Sequence, residues 1–206
     1  MLGSDRRRLE FAYSLLLTLP GTPVIRYGDE IGMGDDLRLP ERNCARTPMQ
    51  WSTEPNGGFT SARKPTVPVI TGGAYGFEHV NVATQRRDPD SLLNWMERVF
   101  RMRKEVPEIG WGDFEVIPNE EHAVLVVRYE WRGYAVLFIH NFDANPLEIK
   151  LVAKALGLHG GQLINLLSNA HSHADAKGRH CMVLEPYGYR WFRVGPLDYL
   201  LQRDEM

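Results

Sequence analysis

Residues 42–51 read RNCARTPMQW and bring two guanidinium groups and an indole within ten positions. A guanidinium offers a planar fork of donors to carboxylates and sugar hydroxyls. Arg46 and Arg42 are therefore candidate substrate-binding residues. The competing expectation is a structural corner. There, one arginine pairs with Asp29, Glu30 or Glu41, and Met49, Gln50 and Trp51 anchor the loop, with Pro48 stiffening the turn. Asp29 and Glu30 are the first carboxylates to consider for catalysis. They are neighbours at the end of a short apolar run, and consecutive strand residues point to opposite sides. They are poorly placed to flank one scissile bond, so the expectation for them is positioning, and no catalytic residue is assigned. A third cluster, NAHSHADAKGRHC, holds His171, His173, His180 and Cys181. Zinc takes such ligands, but the spacing fits no zinc pattern. An exposed loop is expected, with no metal and no cofactor.

The elements that must position these residues are legible from periodicity. Residues 4–19, SDRRRLEFAYSLLLTL, read as a helix with Ser4 as N-cap. Its expected apolar stripe is Leu9, Ala12, Tyr13, Leu16 and Leu17, and Pro20-Gly21 ends it. A short strand, Val24–Tyr27, follows, and then Gly28, Asp29 and Glu30. A helix, a short strand and a polar loop beyond the strand's C-terminal end is the grammar of a β/α barrel, whose active site is built from such loops. Residues 31–90 are rich in Gly and Pro and are expected to hold little regular structure. A loop region this long is uncommon unless it is functional. DPDSLLNWMERVFRMRKEV then reads as a second helix, capped by Asp90 or Ser91 and stopped by Pro107. Leu92, Leu93, Met96, Val99, Phe100 and Arg103 lie on or beside one face.

Beyond residue 107 the pattern changes to short alternating or apolar runs. Strands are expected at Phe114–Ile117, Ala123–Trp131, Tyr134–Asn141, Leu147–Leu151, Gln162–Leu167, Cys181–Glu185 and Tyr189–Val194. A tight hairpin is expected at Arg132-Gly133. Seven short strands in under a hundred residues imply an antiparallel sandwich.

Composition bounds the function. The chain has 206 residues, 43% hydrophobic and 24% charged, with a net charge of −2. That suits a globular fold and gives no basic surplus for nucleic acid or an acidic membrane. No apolar run reaches membrane-spanning length, and the first residues lack a signal peptide's apolar core. Two cysteines, Cys44 and Cys181, suit a reducing compartment, so a cytoplasmic location is expected.

Several longer stretches carry a family resemblance: TLPGTPVIRYGDEIGMGD, ARTPMQW, DRRRLE, NGGF, VNVATQRRDPDSLLNWM and LEPYGYRWFR. In this order they resemble the α-amylase family of glycoside hydrolases, and within it the trehalose synthase (maltose α-D-glucosyltransferase) group. The resemblance covers nearly the whole chain. It implies an α/β plus all-β fold, in which part of a TIM (β/α)8 barrel (helix 7, strand 8, helix 8) is followed by the antiparallel sandwich. The implied domains are residues 1–107, the C-terminal portion of the catalytic barrel, and 108–206, the β-sandwich.

The family's retaining chemistry needs an Asp nucleophile, a Glu acid/base and a second Asp, the last in an Asn-His-Asp motif. No Asn-His-Asp occurs in this sequence. The resemblance therefore implies that the catalytic carboxylates lie upstream and that these 206 residues alone turn over no sugar. It also implies that Arg46 and Arg42 line the rim of a pocket for an α-glucoside disaccharide such as maltose or trehalose. The partner implied is the other half of the barrel. Hydrolysis in place of isomerisation, and a non-catalytic glycan-binding or accessory module, are the alternatives. Arg26 departs from the family pattern, which usually has an aromatic or aliphatic residue there. It is expected to face a rim or to pair with an upstream residue. Without the other barrel strands, Val24, Ile25 and both helical stripes are expected to be exposed.

Overall fold

The computed structural model describes residues 5–156 and 161–195, the side chain of Ala155 excepted. The described residues form two compact units. One joins the residues up to Thr22 with those from Val99 onward, and the other is Pro23–Arg98.

The first unit is built on a six-stranded antiparallel sheet of order β1-β2-β3-β8-β5-β6 and a two-stranded sheet, β4-β7. The strands are β1 (Asp113–Val116), β2 (Val124–Trp131), β3 (Tyr134–Asn141), β4 (Leu147–Val152), β5 (Gln162–Asn165), β6 (Ser172–His173), β7 (Arg179–Leu184) and β8 (Tyr189–Val194). All seven expected strands form, with ends shifted by a residue or two, and the two-residue β6 is additional. β5 stops at Asn165 because its side-chain carbonyl accepts the amides of Leu167 and Ser168 (2.9 and 3.2 Å) and turns the chain. The hairpin between β2 and β3 has Arg132 and Gly133 both at positive φ (53° and 80°), the pair of conformations a two-residue I′ turn needs.

Apolar side chains from both sheets meet in one core: Val126, Leu137, Ile139 and Phe192 from the large sheet against Ile149, Leu151 and Leu184 from the small one. Burial explains the sequence pattern strand by strand. β4 reads LEIKLV and buries alternate residues, as a strand wet on one face must. β3 reads YAVLFIHN and is buried along nearly its whole length, so its second face is covered too.

The helices α1 (Arg6–Thr18) and α4 (Glu108–Trp111) interact with the side chains of that second face. Trp191 donates its indole N–H to Ser14 Oγ (2.8 Å), which lies 3.0 Å from His140 Nε2. The Tyr129 hydroxyl donates to the Thr18 carbonyl (2.8 Å), and Phe11 meets Phe142 edge-on, centroids 4.9 Å apart. Arg193 and Glu108 form a buried ion pair (2.6 Å). Burial holds His140 neutral, its pKa pushed down to about 3.

Three expectations need correction here. The cap of α1 is Asp5, which accepts from the Arg7 amide; Ser4 lies outside the described residues. The buried face of α1 is Phe11, Ser14, Leu17 and Thr18, not the expected stripe, and Leu16 is 40% exposed. Two polar residues sit on that face because each has a hydrogen-bond partner, so apolar periodicity misreads it. Of that expected stripe only Leu17 is buried, whereas Leu92, Met96 and Val99 on α3 (Leu92–Lys104) are buried, against the expectation that this face is bare.

Pro23–Arg98 is mostly loop, as expected, with α2 (Val82–Arg87) capped by Asn81 and three single 3-10 turns. Ser91 caps α3 by accepting the Asn94 amide (3.2 Å). The strand expected at Val24–Tyr27 is not formed. A strand exists through its ladder partners, and none lies beside this segment among the described residues. Val24 is 83% exposed, in line with the expectation for it.

Candidate functional site

The loop RNCARTPMQW is buried through most of its second half and exposed or half-buried through its first. Residues 41–45 form a 3-10 turn with no buried residue. Thr47, Met49 and Gln50 are buried. Met49 packs with Ile31 and Val82. Gln50 donates from its side-chain amide to the carbonyls of Tyr75 (3.1 Å) and Val80. The backbone carbonyl of Gln50 accepts the Val82 amide (3.0 Å), and that of Trp51 accepts the Ala83 amide (2.9 Å). The expected anchoring is thus carried by Met49, Gln50 and the backbone. The Trp51 side chain is a correction: its indole is 48% exposed.

That indole borders an open cleft of about 640 Å³, lined among others by Tyr27, Glu30, Arg46, Trp51, Phe59 and Lys64. Each lining residue is set by local structure. Gly28 stands at φ 88°, in a turn closed by the Asp29 amide on the Arg26 carbonyl (3.1 Å); a Cβ there would lie 2.5 Å from Met33 Sδ. The next three residues form one 3-10 turn, in which successive side chains diverge. Asp29 turns back to Arg26, 3.5 Å away, while Glu30 borders the cleft. The two carboxylates part as expected, by a 3-10 turn in place of a pleat. Asn56, Gly57 and Gly58 all have positive φ (56°, 64° and 69°). Their turn presents Phe59 at the cleft, and the Asn56 side chain fastens it to the carbonyls of Thr60 (3.1 Å) and Ala62 (2.9 Å).

Arg46 lines this cleft; Arg42, on the exposed turn, is not among its lining residues. Neither guanidinium takes the structural acids that the sequence offers as partners. Arg26 takes Asp29 instead, with Asp35 at 3.4 Å, so its partners lie within the chain. The side chains of Tyr27, Phe59 and Lys64 were not singled out from the sequence. NGGF was the available signal for Phe59, since three left-handed residues in a row must aim the side chain after them.

The histidines serve the fold. His171 Nδ1 accepts the Asn165 amide (3.0 Å), and Ser172 Oγ lies 2.9 Å from His180 Nδ1. His180 is buried on β7, which corrects the exposed loop expected there. Burial and the neighbouring His173 push its pKa down.

A three-aromatic cleft with one carboxylate and two cations suits a polyhydroxylated ring, whose apolar faces stack and whose hydroxyls need donors and acceptors. The family model described as the α-amylase catalytic domain matches residues 1–112. The chain belongs to the α-amylase family. A second model, described as the C-terminal domain of sucrose hydrolase-like proteins, matches residues 133–193. Among curated α-amylase-family relatives, a trehalose synthase of Thermus thermophilus is 36% identical, covering 98% of this chain and 21% of its own length. One of Pimelobacter sp. (strain R48) is 34% identical, covering 96% and 35%. The chain therefore spans between a fifth and about a third of these relatives. The trehalulose synthase MutB, as its A258V mutant with Tris, matches in fold with a TM-score of 0.72 at 24% identity, covering 94% of this chain and 40% of that one. No helix among the described residues is long and apolar enough to cross a membrane.

Proposed function

We propose that these residues are the C-terminal part of a trehalose synthase-like enzyme, and that the cleft at Arg46 is the rim of its α-glucoside pocket. On this reading residues 1–107 supply helix 7, strand 8 and helix 8 of the catalytic barrel, and 108–206 the β-sandwich. The observation that carries it is the cleft itself: Tyr27, Trp51 and Phe59 beside Arg46, Lys64 and Glu30, in a chain whose relatives are trehalose synthases. In the whole enzyme, a carboxylate from the other part of the barrel attacks the anomeric carbon of maltose as a carboxylic acid protonates the departing oxygen. The second half-reaction returns the glucosyl group to the 1-hydroxyl of glucose and gives trehalose. The residues described here do not form or break that bond. Aromatic faces hold the sugar ring and Arg46 donates to its hydroxyls, with Arg42 nearer the entrance, in a cytoplasmic enzyme without a cofactor.

Maltose supplied to the product of the complete reading frame should yield trehalose. Release of glucose alone would make it a hydrolytic α-glucosidase or amylase. The 206 residues by themselves should turn over no maltose, and measurable turnover would sink the assignment of the carboxylates to another part of the protein. A second reading has its own support, because the cleft is built wholly from residues 27–67 and needs no catalytic group to hold a glycan. Calorimetry with maltodextrin on the chain alone tests that binding role; absence of heat would reject it.

A further inference from the structure

Arg46 stands at the end of a turn that buries nothing, so apolar packing does not decide where its guanidinium points. Two consecutive residues hold the carbonyls of the residues before and after it. Arg26 Nη1 donates to the carbonyl of Ala45 (3.0 Å), and the Tyr27 hydroxyl donates to the carbonyl of Thr47 (2.9 Å). We propose that Arg26 and Tyr27 form a clamp on Ala45 and Thr47, making Arg26 a positioning residue that aims Arg46 into the cleft. The inference rests on the reading of the cleft as a sugar site.

The clamp is itself braced. Arg26 lies 3.5 Å from Asp29 and 3.4 Å from Asp35 through its guanidinium, and its backbone amide donates to Asp29 Oδ2 (3.1 Å). A guanidinium can meet carboxylates and a carbonyl at once because its donors spread over a rigid plane; an ammonium is a single point. An aliphatic residue here could not hold the Ala45 carbonyl. The orientation of Arg46 is thus fixed in this chain by a residue at the foot of the loop. Tyr27 couples two tasks, since its ring borders the cleft while its hydroxyl fastens the loop.

The test uses the full chain and the variants Arg26→Leu, Arg26→Lys, Tyr27→Phe and Arg46→Ala, with folding checked by circular dichroism. Amide exchange at Arg46, whose N–H closes the turn onto Asn43, should quicken about tenfold in Arg26→Leu. Maltose affinity should fall about tenfold in Arg26→Leu and less in Tyr27→Phe, yet Arg26→Leu should add nothing in the Arg46→Ala background. Arg26→Lys should stay as weak as Arg26→Leu. Equal losses in both backgrounds, full recovery by lysine, or unchanged exchange at Arg46 would each overturn the clamp. If the unaltered chain binds no maltose, the stand-alone binding role falls, and exchange at Arg46 decides the clamp by itself. Should Arg26→Leu not fold, Tyr27→Phe carries the same comparison.

Discussion

The β-sandwich unit and the loop-rich unit hold themselves together by different physics. In the first, Val126, Leu137, Ile139 and Phe192 are sealed between two sheets, while on the far face Ser14 meets His140 and Trp191, and Glu108 pairs with Arg193. In the second, a small cluster of Ile31, Met49 and Val82 is supplemented by single side chains reaching carbonyls, above all Gln50 and Arg26. Apolar burial is spread over many residues and tolerates no large void. Hydrogen bonds from one side chain place a loop with little mass, which suits a surface that must meet a ligand. The difference predicts where each unit breaks.

The largest effect is expected from Glu108→Ala, which removes the carboxylate paired with the buried Arg193 guanidinium and should cost about 4 kcal/mol in chemical denaturation of the sandwich unit. Leu137→Ala opens a cavity in the core and should cost about 3 kcal/mol by the same measurement. Acidification acts through His140. Its folded pKa lies near 3, below its unfolded value of 6.5. The unfolded chain therefore gains a proton below pH 6.5 that the folded one refuses. This contribution is complete above pH 6.5 and falls as pH drops towards 3, by about 2 kcal/mol between pH 7 and pH 5. Denaturation midpoints at the two pH values check it, and His140→Gln should flatten that dependence. The smallest global effect is expected from Gln50→Ala, about 1 kcal/mol, yet limited proteolysis should then cut between residues 70 and 83 sooner than in the unaltered chain. Cleavage that moved into the sandwich instead would reverse the comparison.

Legibility divides along the same line. β3 and β4 differ in sequence as they differ in burial, so the strands could be read with small errors at their ends. The α1 face could not, because Ser14 and Thr18 look like surface residues until Trp191 and Tyr129 are seen to reach them. Val24–Tyr27 has a strand's composition, but a ladder needs a neighbour. At the site, Arg46 was visible from its loop, whereas Lys64, eighteen residues on, and the hydroxyl of Tyr27 carry no local pattern that marks them.

By itself the sequence determined the family, through long motifs in a fixed order, and the two long helices and seven of the strands beyond residue 107, through periodicities of two and 3.6 that each segment carries alone. Only the tertiary structure decided which arginine faces the cleft and which one clamps it. A side chain's task depends on which distant carbonyl or carboxylate lies within about 3 Å, and Arg26 and Ala45 are brought that close only by the folded loop.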